Sequence, residues 1–284
     1  MPNDASHYPL QRDALGSIRL NLQHQLWLAS TRSHLHSSIP VKENALIADI
    51  GCGTGIWSTS LSSLLPPGAV IEASDISLAN APPAGFWPEN VTFRELDIFT
   101  DALPEELLER YDVVHIRLFL CVIASGDPIP LLKNLMKLLK PGGWLQWQEY
   151  DGSYEVQRVV TNDPGTAAPK LMALNTAIRS PQNNKHVETS RWVSTLHERF
   201  GEGGAELVEY ERCWTAKEAY TIKQDITFLV VREFIVGMRT KGPEQSKMAD
   251  ALEKMTAEAE EECWATGRGT LIDTPMLTWV ARKL

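Results

Sequence analysis

The chain has 284 residues, 43% of them hydrophobic and 22% charged, which supports a full core and excludes a disordered or fibrous protein. Its 27 basic and 36 acidic residues give a formal charge of −9 with no block of basic residues, so nucleic acid is not an expected partner. Cys52, Cys121, Cys213 and Cys263 are scattered, with no CxxC pair and no His cluster at metal-ligand spacing; no metal site is expected, and the thiols fit a reducing compartment. The start MPNDASHYPLQRD lacks the pattern of a secretory signal, and the longest apolar runs, 113–124 and 226–238, carry His115, Arg117, Arg232 and Glu233. A cytoplasmic protein without a membrane partner is expected, with a nuclear one not excluded.

In chain order, the first forty residues hold a helical pattern at 18–29, expected to pack over the ligand edge of a sheet. Residues 45–50 read as a strand ending in Asp49-Ile50-Gly51, and 56–65 as a helix closed by Pro66-Pro67-Gly68. Strands follow at 70–74, 91–96 and 111–116. Asp127-Pro128 sets an N-cap with Pro at N1 for a helix burying Ile129, Leu132, Leu135, Met136 and Leu139. Lys140-Pro141-Gly142-Gly143 stops it before a fifth strand at 144–149.

Beyond this βαβ rhythm the spacing predicts helices at 169–179 and 188–200, a strand at 206–214, and helices at 225–239 and 246–266. The last carries Met248, Leu252, Met255, Ala259 and Cys263 on one stripe. Thr215 and Glu218 are spaced as a capping box, the acidic group Glu258, Glu260, Glu261 and Glu262 reads as a solvated helix face, and 276–281 reads as a short closing strand. One domain is expected over 1–284: a lid (1–40), a cofactor-binding core (41–150), a substrate cap (151–200, with Tyr154, Met172 and Trp192) and closing strands and helices (201–284).

The strongest motif is Asp49-Ile50-Gly51-Cys52-Gly53-Thr54-Gly55, a glycine-rich turn between a strand and a helix. Glycines there remove the Cβ atoms that would block a ligand from the backbone, and they permit positive φ. The third glycine comes one residue earlier than in the dinucleotide fingerprint, with Ile56 in its place. Asp75 ends the next strand, twenty residues beyond Gly55, where a carboxylate can accept both hydroxyls of a ribose; Asp97 ends the third and can accept from an exocyclic amine.

In these elements the sequence resembles the class I S-adenosylmethionine-dependent methyltransferases. The matching segments are DIGCGTG at 49–55, EASDIS at 72–77, FRELDIF at 93–99, YDVVHIR at 111–117 and LLKPGGWLQWQE at 138–149. RLNLQHQLW, GTGIW and WPENVTF are similar to the fungal methyltransferases of secondary metabolism and their regulatory relatives. The resemblance implies an α/β, Rossmann-like seven-stranded sheet with the last strand antiparallel, an N-terminal helical lid, a helical cap after strand five, and S-adenosylmethionine as cofactor. It further implies that Gly51, Cys52 and Gly53, with Asp49 before them, lie along the methionine portion. Asp75 with Ile76 would hold the ribose, Asp97 and Ile98 would bracket adenine, Arg117 would face cofactor and substrate, and His24 would close the amino acid end.

Methyl transfer from a sulfonium needs chiefly alignment and exclusion of water, so no general base is obligatory. His24, His115, Glu149 and His186 are candidates that the sequence does not order in space, and the catalytic residue stays unassigned. His115, within a strand, reads as a hydrogen-bonded core histidine, and Trp57, Trp144 and Trp147 as core. Transfer to a small-molecule acceptor, most simply a hydroxyl of a secondary metabolite, is the expected activity. The alternatives are a cofactor-binding regulator acting through protein partners, and an enzyme of this fold catalysing a rearrangement or cyclisation. Nothing in the sequence sets the oligomeric state.

Overall fold

The computed structural model describes residues 12–151, 156–180 and 189–284; Tyr154 and His186 lie outside them. Helix α1 (Ala14–Thr31) starts where the Asp13 carboxylate accepts from Gly16 N at 2.8 Å, four residues before the predicted start. Strand β1 (Leu46–Ile50) is almost wholly buried, as a central parallel strand must be, and passes through the glycine turn into α2 (Ile56–Ser62). Strands β2 (Val70–Asp75), β3 (Val91–Glu95) and β4 (Tyr111–Arg117) follow. Helix α3 (Ile129–Leu138) has Pro128, not Asp127, at its N-cap position, with Asp127 accepting from Ile129 N in the turn before it, and leads into β5 (Leu139–Tyr150). The Lys-Pro-Gly-Gly stop ends α3 as predicted. The ladder nevertheless begins at once: Leu139 pairs with Tyr111 and Trp144 with Val113, so residues 140–143 bulge opposite Asp112.

The second half contributes β6 (Arg158–Thr161), α4 (Pro169–Arg179), β7 (Ala205–Cys213), α5 (Tyr220–Arg239), α6 (Pro243–Ala265), β8 (Thr270–Asp273) and β9 (Met276–Lys283). The main sheet is seven-stranded in the order β3-β2-β1-β4-β5-β9-β7, with β9 antiparallel to both neighbours, as the sequence implied. Strands β6 and β8 form a separate antiparallel pair that periodicity did not reveal. One apolar cluster packs α3 and Trp192, Leu196 and Phe200 on β4 and β5, a second packs α2 on the other face, and a third joins α4, α5, α6 and β8. Among the described residues no helix is long and apolar enough to cross a membrane.

Three local expectations are corrected. The helix expected at 188–200 is, from Arg191 on, a chain of 3₁₀ turns, Arg191–Ser194, Leu196–Glu198 and Phe200–Gly203. The Thr215–Glu218 capping box does not form: Thr215 Oγ1 is buried without a partner, and Glu218 pairs with Arg32. The acidic face of α6 is engaged rather than simply solvated, because Glu262 accepts from Lys170 N and Leu171 N and so caps α4, while Glu258 and Glu260 pair with Lys170 and Arg232.

Candidate functional site

The carboxyl ends of β3, β2, β1, β4 and β5 lie side by side and present, in that order, Asp97, Asp75, the glycine turn, Arg117 and Tyr150. All of them line one cavity of about 420 Å³, covered by α1, α4 and α5. A cavity at the carboxyl edge of a parallel sheet is where this architecture binds ligands.

The turn is shaped by its glycines. Gly51 has φ +70°, and a Cβ there would sit 2.4 Å from the Phe119 ring; Gly55 has φ +69°, and its Cβ would meet Phe93 at 2.4 Å. Backbone replaces side chain as the cavity floor. The N–H groups of Gly51 and Cys52 donate to Ser74 O, tying the turn to β2, and Gly53 N donates to Asp75 Oδ2 at 2.9 Å. Asp75 Oδ1 accepts from Ser77 N, and burial raises its pKa against the pull of those N–H groups. Two accepted bonds leave the carboxylate further lone pairs for a ligand. Asp97 Oδ1 accepts from Phe99 N, which turns the chain and brings Ile98 to the cavity wall beside Ile76. Cys52 lines the cavity while packing with the core, and burial drives its thiol pKa upward.

Asp49 uses both oxygens inside the protein: Oδ2 accepts from Ser58 Oγ at 2.6 Å, and Oδ1 meets His115 Nδ1 at 2.9 Å. His115 stacks on Trp57 at 3.8 Å with planes 2° apart, and burial lowers its pKa, which supports the reading of a core histidine. Trp57 and Trp147 are buried, and Trp144 is partly so. Glu149 is likewise committed, accepting from Phe119 N, Leu120 N and Trp147 Nε1; burial pushes its pKa up to about 8. It shapes the loop after β4 and does not line the cavity.

Arg117 enters the cavity from β4 with no carboxylate at ion-pair distance among the described residues. Its guanidinium lies 5.9 Å from the Trp27 ring and 3.4 Å from His24 Nδ1, and burial brings its pKa down to about 10. His24 stands behind it and does not line the cavity. Its Nε2 meets Ser60 Oγ, and burial with the Arg117 cation pushes its pKa down to about 3, so it is neutral.

The sequence reading missed the contribution of the cover. Arg19 and Gln23 reach the cavity from α1, and Arg19 forms a buried ion pair with Glu233 of α5 at 2.6 Å. Lys223, Ile226, Val230 and Phe234 line it from α5, so the wall opposite the sheet extends well beyond 151–200. The signal was available: a lysine stands at the i, i+3, i+7 spacing of that helix's apolar face.

These features fit S-adenosylmethionine: a floor built on a glycine-rich turn, two strand-end carboxylates for hydroxyl and amine donors, and a guanidinium without an ion-pair partner among the described residues for a carboxylate. A family model described as methyltransferase domain matches residues 34–210. The methyltransferase grgD of a Penicillium species is 33% identical over 177 residues, covering 60% of this chain and 58% of that protein. The N-methyltransferase verN of Clonostachys rogersoniana is 30% identical over 152 residues, 52% of each. The secondary metabolism regulator laeA of Coprinopsis cinerea is 33% identical over 177 residues, 58% of this chain and 40% of that protein. The matches therefore span about half the length of these relatives. In fold, the chain is similar to one in the complex of the Haloferax volcanii Trm112 methyltransferase activator with a methyltransferase. That similarity has a TM-score of 0.53 at 17% identity and covers 96% of this chain and 97% of that one. The chain belongs to the methyltransferase domain family, with S-adenosylmethionine as its cofactor.

Proposed function

We propose that this chain transfers the methyl group of S-adenosylmethionine to a hydroxyl of a small secondary metabolite. The observation that carries the reading is the single cavity that joins the glycine turn, Asp75 and Asp97 at one end to an apolar chamber under α4 and α5 at the other. When bound, the cofactor supplies an electrophilic methyl on a sulfonium. The protein's part is to hold and align. In this reading Gly51, Cys52 and Gly53 flank the methionine portion and Asp75, with Ile76 beside it, accepts from the ribose hydroxyls. Asp97 and Ile98 bracket adenine, and Arg117 pairs with the carboxylate of the amino acid end. Asp49, at the cavity wall, holds the turn through Ser58 and His115, and His24 backs Arg117 from one layer behind. Helix α1, locked by Arg19 to Glu233, keeps water from the cavity, so residues 12–40 serve as a lid and the domain works as one unit.

The relatives differ in what they are called, one an N-methyltransferase and one a regulator. The amine of Lys223 beside the chamber favours an oxygen acceptor, since it can receive the proton that a hydroxyl gives up. The test is incubation of metabolite extracts with methyl-labelled cofactor, read by mass spectrometry. A labelled small molecule, lost in Asp75→Ala, is expected. A product of unchanged mass would instead favour cyclisation, and cofactor binding without turnover, together with a stable protein partner, would favour regulation.

A further inference from the structure

Lys223 reaches the cavity from the first turn of α5, within a wall that also holds Ile226, Val230 and Ile272. Its side chain is only 7% exposed, and its Nζ sits 4.2 Å from the centre of the Tyr150 ring. Among the described residues, that ring face is the only partner of the amine. The carboxylate acting on it, Asp273 of β8, stands outside ion-pair distance and is held instead by Arg158 of β6 at 2.9 Å. Arg117 of β4 and Arg19 of α1, both in the cavity wall, also act on the Tyr150 phenol. A ring face offsets only part of the cost of removing an ammonium from water, so a lysine fixed here without an anion is a site short of one.

Its place on the sheet edge says which end of the ligand volume it serves. Asp75 on β2 and Tyr150 on β5 are separated by three strand spacings, roughly 14 Å. Lys223 therefore stands across the cavity from the ribose carboxylate, in the chamber left for the acceptor.

We propose that Lys223, seated on the Tyr150 ring, is the acceptor anchor of this cavity and takes an acidic hydroxyl, phenolic or enolic, as its oxyanion. The inference rests on the methyl-transfer reading and narrows its acceptor class. The proton balance is simple. The acceptor's O–H bond breaks with its electron pair left on oxygen, the proton passes to the neutral amine of Lys223, and the resulting ammonium holds the oxyanion. Burial pushes the Lys223 pKa down to about 8, so near neutral pH the ammonium predominates and a minor fraction is the neutral amine that takes the proton. Tyr150 is a positioning residue: burial raises the pKa of its phenol, which stays neutral and offers the ammonium an apolar face.

The experiment uses the full chain saturated with S-adenosylhomocysteine and the chromogenic phenol 4-nitrophenol, at a pH below the probe's own pKa, where the free probe is colourless. Wild type should bind the probe as yellow nitrophenolate, lowering its pKa by about one unit, a factor of ten in the ionisation constant. Lys223→Met should abolish the shift, and Lys223→Arg should restore a measurable part of it. A probe whose pKa is unmoved in wild type, or moved equally in Lys223→Met, overturns the proposal. As a control that does not depend on variant folding, Lys223 in wild type should react with trinitrobenzenesulfonate at lower pH than surface lysines and be protected by 4-nitrophenol; absence of protection also overturns it. Calorimetry with S-adenosylhomocysteine separates the two readings: failure of wild type to bind it removes the methyl-transfer reading itself, whereas binding that survives Lys223→Met with no difference in the phenol shift removes only the anchor.

Discussion

At the β2 end of the cavity the carboxylate of Asp75 receives N–H groups from Gly53 and Ser77, both near it in the chain or across one strand pair. At the β5 end Lys223 meets a ring face, and its surroundings come from β5, α5 and β8 together. The first end is built by the backbone of a short turn. The second is assembled by side chains from distant parts of the sequence, with α1 fastened over it by one buried ion pair, Arg19 to Glu233. A ligand common to a whole family can be held by backbone that many sequences reproduce, and the variable ligand by side chains that each sequence chooses.

The largest effect should come from breaking the side-chain end. Glu233→Gln removes the carboxylate to which the buried Arg19 guanidinium donates and should lower unfolding free energy in a urea titration by about 3–5 kcal/mol. Replacing both partners with methionine should cost much less, since no charge is then stranded. At the backbone end, Asp75→Ala should weaken S-adenosylmethionine binding in calorimetry by about 1.5–3 kcal/mol, roughly 10- to 100-fold, with little change in melting temperature. Gly51→Ala places a Cβ against Phe119 at positive φ and should cost about 1–3 kcal/mol of stability along with cofactor affinity. If Asp75→Ala left affinity intact while Glu233→Gln abolished it, the division of labour would be reversed.

The smallest expected effect is a pH dependence centred on Glu149. Its folded pKa, about 8, lies above the ordinary 4.5, so the folded state binds the extra proton and stability is lost as pH rises between those values. His24, with a folded pKa of about 3, acts with opposite sign and only below its ordinary 6.5. Between pH 6.5 and 8 the decline therefore reports Glu149. It should amount to about 1–2 kcal/mol, measured by denaturation at a series of pH values and flattened in Glu149→Gln.

The contrast between the two ends also explains what could be read from the amino acids alone. Strands β1 to β5, the glycine turn, Asp75 and Asp97 are written in local patterns of apolar runs, turn residues and strand-end carboxylates, and the structure places each at the cavity edge. The cover is not local. Arg19 and Glu233 are 214 residues apart, and β6 finds β8 more than a hundred residues on, in runs of only four residues each. Such pairings leave no periodic trace. His24 and Asp49 show a related effect: residue type and position marked them as polar groups near the ligand, but their hydrogen bonds are spent on Ser60, Ser58 and His115. The 3₁₀ turns that replace the helix expected at 188–200 belong here too. Their Trp192, Val193, Leu196 and Phe200 bury into the α3 and β5 cluster at spacings close enough to helical to look continuous.

The position of β9 between β5 and β7 bears on the order of events during synthesis. Among the described residues strand β7 pairs with β9 alone, and β5 has β4 on one side and β9 on the other. On the ribosome the turn and the five parallel strands can be complete while residues 276–283 are still in the exit tunnel, yet β7 has no edge to join until they emerge. The glycine turn and the strand-end carboxylates therefore rest on strands that can pair before residues 276–283 emerge, whereas β7 must wait for β9.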